Sequence, residues 1–142
     1  MRIYGLLAYF DERHISTYDA VERAEAQLRA RGDQTLFSKP HAFPFLYALD
    51  YGYEEAVIQG NTTQPAELCI VVGDSTSDML GGRAAGALTV AVLTGTRTAE
   101  ARHLLAQSQP DFTIDDITRL PELLSHMDSL LTIQHMQFQD RE

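Results

Sequence analysis

The sequence has 142 residues, a length typical of one domain, which excludes a two-domain enzyme within this chain. Hydrophobic residues make up 44% and charged residues 22%, proportions that exclude a disordered or collagen-like protein. The formal charge of −9, from 11 basic and 20 acidic residues, repels phosphate backbones and anionic lipids, and it therefore argues against nucleic-acid and membrane partners.

Localisation is predicted from the apolar segments and the cysteine count. No apolar run approaches the ~20 residues of a membrane span. The run 3–10 lacks a small-residue cleavage site and leads directly into Asp11 and Glu12, so it is a poor signal peptide. Cys69 is the single cysteine and cannot form an internal disulfide, which favours a reducing cytoplasm. We therefore expect one cytoplasmic domain over 1–142, with a polar, frayed tail over 134–142.

The first predicted elements are a short strand at 14–17 and a helix over 20–30. Ser16 and Asp19 resemble a capping box, and good helix formers follow them. Gly32 supplies the stop signal for this helix.

A second helix is predicted over 43–49, with Pro44 in its first turn. Helical spacing places Phe45, Leu46 and Leu49 on one face.

The second half alternates short apolar strands with helices. The strands are predicted at 68–72, 88–93 and 112–114, and the helices at 77–85, 99–107 and 117–131, the last capped by Asp116. This alternation predicts an α/β fold with a doubly wound, Rossmann-like parallel sheet and flanking helices. Ligands of such sheets lie beyond the carboxyl ends of the strands.

Two carboxylates, Asp74 and Asp78, follow the apolar strand 68–72. Carboxylates that converge at a strand end suit Mg²⁺, which accepts one or two of them and keeps waters and substrate phosphate oxygens as its other ligands. Alternatively, Asp74 is a turn residue and Asp78 complements a helix dipole. The spacing alone leaves both interpretations open.

Lys39 is the only lysine of the sequence, and it lies in an apolar, proline-containing segment. No other basic residue occurs between Lys39 and Arg83, whereas several acidic residues do. A fixed ammonium near two carboxylates and a metal ion would hold a phosphoryl group and neutralise its charge.

Two segments resemble motifs of the haloacid dehalogenase (HAD) superfamily. The segment 39–49 resembles its third motif, and 72–87 resembles its fourth motif in the GDxxxD form. The similarity continues through 89–95, 110–114 and 120–124. It implies a HAD-type core and a Mg²⁺-dependent phosphatase acting on a small phosphorylated metabolite.

The resemblance also implies the site residues. Lys39 corresponds to the catalytic lysine that binds the phosphoryl group and orients the nucleophile. Asp74 corresponds to the direct metal ligand, and Asp78 to a second acidic residue that often acts through water. Ala42 stands where a second proline is common in the family.

The family's nucleophile, the first aspartate of an Asp-x-Asp pair, has no counterpart in the sequence. The segment 4–11 instead resembles the chain that follows the second motif. On this alignment the sequence is the C-terminal portion of a HAD-type core, a partial sheet without its N-terminal strands and cap.

A partial sheet would expose an edge of the strand that precedes Asp74. Unpaired backbone groups cost about 1–3 kcal/mol each when buried. We expect this edge to be covered by the segment 3–10, by a second copy in a homodimer, or by a complementing N-terminal segment. Two functions compete: part of a phosphohydrolase, incomplete alone, and a non-catalytic HAD-like module that binds Mg²⁺ or phosphate weakly or associates through this edge.

Overall fold

Three parallel strands form one sheet at the centre of the computed structural model, which describes residues 6–11, 14–49, 53–58 and 69–139. The strands are β1 (Ile70–Gly73), β2 (Leu88–Val92) and β3 (Phe112–Ile114), in the order β1-β2-β3. Val71 pairs with Thr89 and Val90 with Phe112. The predicted α/β parallel sheet is therefore confirmed. Strand β3 has its predicted bounds, β2 ends one residue before its predicted end, and β1 begins at Ile70, after the predicted strand residues Cys69 and Leu68, of which Leu68 is outside the described residues.

Six α-helices accompany the sheet in the ranges that the structure describes. They are α1 (Tyr18–Arg29), α2 (Phe43–Leu49), α3 (Tyr53–Ile58), α4 (Thr76–Ala85), α5 (Ala99–Gln107) and α6 (Leu120–Gln139). Short 3₁₀ turns span Leu6–Tyr9, Leu93–Gly95 and Ile117–Arg119. The last turn is capped by Asp116, whose carboxylate accepts from the Thr118 N–H at 2.8 Å, and α6 continues beyond the predicted end at 131 as far as Gln139.

The core surrounds β2 and α4. Val90 and Ala91 of β2 and Met79 of α4 are completely buried, since α4 packs across β1 and β2. Gly86 ends α4 with a left-handed φ of 84°, the conformation that glycine adopts most readily. This packing fixes the position of the loop between β1 and α4.

The predicted strand at 14–17 is wrong. Residues 15–17 have no regular structure, and the His14 ring forms a 2.7 Å hydrogen bond with the Ala48 carbonyl oxygen. The predicted capping box is also absent, because Thr17 is the N-cap residue of α1 and its side chain makes no capping bond. A short β-prone segment forms no strand when no neighbouring strand pairs with it.

The buried side of α2 shares only Leu46 with the apolar face that helical spacing indicates. Phe43, Leu46 and Tyr47 are buried, whereas Leu49 is 42% exposed. The cause is an aromatic stack, because the Phe43 ring lies 4.7 Å from the ring of Phe37 and 5.7 Å from that of Tyr47. This stacking buries the side of α2 that carries Phe43 and Tyr47.

One edge of the sheet is open within the described part of the chain, where β1 pairs only with β2. Beside this edge is a cavity of about 310 Å³, whose lining is apolar: Phe45, Ala48, Leu49, Cys69, Ile70, Val71, Val72 and Ala87. In the same described ranges, no helix is long and apolar enough to cross a membrane.

Candidate functional site

The candidate site begins where β1 ends and α4 starts. Ser75 is the N-cap residue of α4, with an extended backbone and a side-chain oxygen that accepts from the Asp78 N–H at 3.2 Å. The Ser75 hydroxyl also donates to Asp78 Oδ2 at 2.6 Å. Ser77 Oγ lies 2.9 Å from Ser75 Oγ. One serine therefore starts the helix and orients a carboxylate.

Lys39 meets Asp78 at this helix end. Its Nζ lies 2.6 Å from Asp78 Oδ1, although the two residues are 39 positions apart. The ammonium also lies 5.3 Å from the centre of the Phe45 ring. The Asp78 side chain is 11% exposed and that of Lys39 47%, so the carboxylate lies inside and the ammonium faces the surface.

Gly81 makes this contact possible from the α4 side. A Cβ atom at position 81 would lie 2.5 Å from Phe45 Cε2 and 3.1 Å from the Pro40 carbonyl oxygen. Only glycine therefore lets α2 and its leading loop approach α4 this closely. The peptide bond between Lys39 and Pro40 is cis.

Opposing effects act on the pKa of Asp78. Burial raises it, but hydrogen bonds from Lys39 and Ser75, together with the positive charge of Lys39, outweigh burial and hold it below its ordinary value of 3.8. Asp78 is therefore an anion at neutral pH, with Lys39 bound to one carboxylate oxygen and Ser75 to the other.

Asp74 has a different environment. Its side chain is exposed and lies against Gly95 in the turn that follows β2. Its carboxylate makes no hydrogen bond or ion pair with any residue that the structure describes. The structure thus brings Lys39 and Asp78 into contact, and it places Asp74 at the same strand end, facing Gly95.

His41, two residues after Lys39, has a local structural role. Its Nδ1 accepts from the Phe43 N–H at 3.0 Å, and its ring packs edge-on against Phe37 with a centroid distance of 5.0 Å. Burial lowers its pKa. Its half-buried ring therefore supports the start of α2.

The carboxylates of these residues suit a hard cation. Asp74 offers carboxylate oxygens that no described group occupies, and Mg²⁺ prefers such ligands with several retained waters. Both Asp78 oxygens already accept hydrogen bonds, so this residue suits contact through water. Within the described ranges no group of three or more His, Cys, Asp or Glu side chains forms an all-protein metal cage.

Sequence reasoning identified Lys39, Asp74 and Asp78 as candidate site residues. It missed the bond from Ser75 to Asp78 and the packing of Gly95 on Asp74. The serine three residues before Asp78 was a usable signal, since N-cap residues pair with that position. Nothing in the local sequence links Gly95 with Asp74.

The fold and these residues define an α/β protein with polar groups at the carboxyl end of a parallel strand. The sequence model of the HAD-hydrolase-like family matches residues 36–120. The chain belongs to this family, and the resemblance seen in 39–49 and 72–87 is confirmed.

The solved structures that are similar to the chain include the following two. The X-ray structure of a Northeast Structural Genomics Consortium target has a TM-score of 0.68 and 27% identity, covering 87% of this chain and 33% of that one. A hydrolase from Pseudomonas syringae has a TM-score of 0.43 and 28% identity, covering 68% of this chain and 37% of that one. The chain thus spans about a third of each neighbour's length. No curated protein matches the sequence.

Proposed function

We propose that this chain forms the lysine-bearing and acidic part of a Mg²⁺-dependent phosphate monoester hydrolase that acts on a small phosphorylated metabolite in the cytoplasm. The observation that carries the proposal is the contact between Lys39 and Asp78 at the end of β1, the strand end at which the Asp74 carboxylate accepts no hydrogen bond from any described residue. Membership of a hydrolase family supports it.

Each residue has a distinct task in this proposal. Lys39 binds the phosphoryl oxygens, and Asp78 holds the ammonium in place by a 2.6 Å contact. Asp74 would hold Mg²⁺ directly, and Asp78 would contact it through water. The bound ion would neutralise charge on the phosphoryl group during its transfer.

The reaction transfers the phosphoryl group from the ester oxygen to water, releasing an alcohol and inorganic phosphate. The family's nucleophile is the first aspartate of an Asp-x-Asp pair, and the sequence contains no such pair. We propose that a carboxylate outside this chain's motifs completes the site. Lys39 would orient that carboxylate as well as the substrate.

Release of phosphate from an aryl phosphate in the presence of Mg²⁺ tests this function. We expect Asp74→Asn and Lys39→Met each to abolish any turnover, whereas the control Asp19→Asn, on the exposed first turn of α1, leaves it unchanged. No turnover by the intact chain, even at high concentration, would exclude independent catalysis. Turnover unaffected by Asp74→Asn would exclude the proposed metal ligand.

A second candidate is a non-catalytic module that associates with a second copy through β1. The open edge of β1 and the apolar cavity beside it favour this function. The Leu88 N–H donates to the Cys69 carbonyl at 3.0 Å, so alternation along a parallel ladder points the backbone groups of Ile70 and Val72 away from β2.

This geometry supplies a test for association. Val72→Pro removes one outward N–H donor and leaves the donors that face β2 intact. If the edge joins two copies, light scattering will give a dimer mass for the wild type and a monomer mass for this variant. The control Val72→Ala keeps the donor and should remain a dimer. A monomeric wild type would exclude self-association.

A further inference from the structure

The turn at Leu93–Gly95 lies directly beside Asp74. A Cβ atom placed on Gly95 would overlap Asp74 Oδ2, and it would lie 2.6 Å from Asp74 Cβ. Real Cβ atoms essentially never approach another atom closer than 3.0 Å. The Asp74 side chain therefore rests on the bare α-carbon of Gly95.

The backbone at Gly95 does not itself require glycine. The glycines with positive φ in the described chain are Gly32 and Gly86, and Gly95 is not among them. A residue with a side chain can adopt this backbone conformation. The need for glycine at position 95 is therefore space for the Asp74 carboxylate.

The turn that carries Gly95 is anchored, so it cannot easily retreat from a new methyl group. Thr96 is 5% exposed and donates twice to the Leu93 carbonyl, from its N–H at 3.1 Å and from its hydroxyl at 2.7 Å. Arg102 donates to the Thr96 carbonyl at 3.2 Å. Asp74, by contrast, has no described hydrogen-bond partner to hold it.

We infer that Gly95 is a positioning residue for Asp74. Its missing side chain leaves the space at the end of β1 that the Asp74 carboxylate, with Oδ2 against the Gly95 α-carbon, takes up. The inference deepens the proposed function and rests on it, because Asp74 is the carboxylate proposed to hold the metal ion.

The experiment measures the dissociation constant of Mn²⁺, a hard cation that takes the same oxygen ligands as Mg²⁺, by electron paramagnetic resonance on the full chain. We expect Gly95→Ala to weaken binding about 10- to 100-fold, the usual cost of disturbing a residue that orients a metal ligand. The control Thr94→Ala alters an exposed side chain of the same turn and should leave binding unchanged.

A double variant separates the inference from the proposed function. If Gly95 acts through Asp74, Gly95→Ala will cause no further weakening in an Asp74→Asn background. If Asp74→Asn weakens binding and Gly95→Ala does not, the inference is overturned and the proposed function stands. If Asp74→Asn has no effect on binding, the metal ligand of the proposed function is wrong.

The orientation of Asp74 is also measured without metal. Scalar couplings between Hα and Hβ of Asp74 report its χ1 angle, and we expect Gly95→Ala to change them while Thr94→Ala does not. Unchanged couplings overturn the inference whatever the metal result. If Gly95→Ala fails to fold, adding Asp74→Gly removes the overlapping side chain, and folding must return if the overlap is the cause.

Discussion

Asp78 is the residue on which most interactions of the candidate site converge. Lys39 binds one of its oxygens at 2.6 Å and Ser75 binds the other at 2.6 Å. Because the pKa of Asp78 is lowered in the folded protein, these interactions stabilise the fold at pH values above the ordinary carboxyl pKa of 3.8, and they are lost as the pH falls through the lowered value. Acidification therefore weakens the stabilisation that Lys39 and Ser75 give through Asp78, whereas pH changes near neutrality leave it unchanged.

Lys39→Met should raise the pKa of Asp78. The variant removes the ammonium, whereas burial, which raises this pKa, remains. A carboxyl ¹³C titration by nuclear magnetic resonance measures the change. Arg29→Met, which removes the partner of Glu25 on α1, is the control and should leave Asp78 unaffected. An unchanged Asp78 titration in Lys39→Met would contradict the role given to the ammonium.

Ser75→Ala should destabilise the protein and raise the pKa of Asp78 together. Loss of an N-cap hydroxyl costs about 1 kcal/mol of unfolding free energy, measured by urea denaturation. Thr98→Ala is a matched control, since Thr98 caps α5 through the Ala101 N–H at 3.1 Å. It should cost a similar amount without moving the Asp78 titration. If the Asp78 titration is the same in Ser75→Ala as in Thr98→Ala, Ser75 serves only as a helix cap.

At the scale of the elements, hydrogen bonds between Thr89 and Asp111 join β2 to the segment before β3. Asp111 Oδ2 accepts from the Thr89 N–H and hydroxyl, both at 2.7 Å, and the Asp111 N–H donates back to Thr89 Oγ1 at 3.1 Å. These bonds lower the pKa of Asp111, and the charge of Arg83 adds to the effect. Arg83 also donates to the Ser108 carbonyl at 2.8 Å and to that of Gln109.

Asp111→Ala should therefore cost about 1–3 kcal/mol of unfolding free energy, the usual penalty for leaving buried groups unpaired, because Thr89 is fully buried. Urea denaturation gives the value. Asp115→Ala alters an exposed carboxylate nearby and should stay within about 0.5 kcal/mol of the wild type. Similar losses of unfolding free energy in the two variants would contradict the stabilising role of the hydrogen bonds between Asp111 and Thr89.

Local sequence predicts an element best when its capping residues and its apolar pattern indicate the same bounds. Helix α5 and strand β3 have their predicted bounds, because a capping threonine starts α5 and an apolar run forms β3. Helix α3 was missed, since it is only six residues long and contacts α1 through an ion pair of Arg23 with Glu54 at 3.5 Å and a hydrogen bond that Gln27 donates to Glu54. Such contacts between distant segments leave no periodic pattern.

For the whole molecule, the open edge of β1 predicts an alternating pattern of amide protection. The N–H groups of Val71 and Gly73 face β2, whereas those of Ile70 and Val72 face outward. Hydrogen exchange of the chain alone should be slow at the first pair and fast at the second. Slow exchange at all four would show that another strand covers the edge.

The site as a whole illustrates what one sequence reveals. The resemblance identified Lys39 and Asp78 as site residues, but only the packing of α2 on α4 through Gly81 explains how they meet. The orientation of Asp74 depends on a turn 21 positions away in the chain, a long-range relation that spacing does not encode.

The ammonium at the site has a practical consequence, because position 39 carries the sequence's sole lysine and is 47% exposed. An acylating reagent selective for amines can modify only this side chain and the α-amino terminus. Acylation would erase the positive charge that faces Asp78. Under the proposed function, protection of the Lys39 amine against acylation would therefore report a dianion bound at the candidate site.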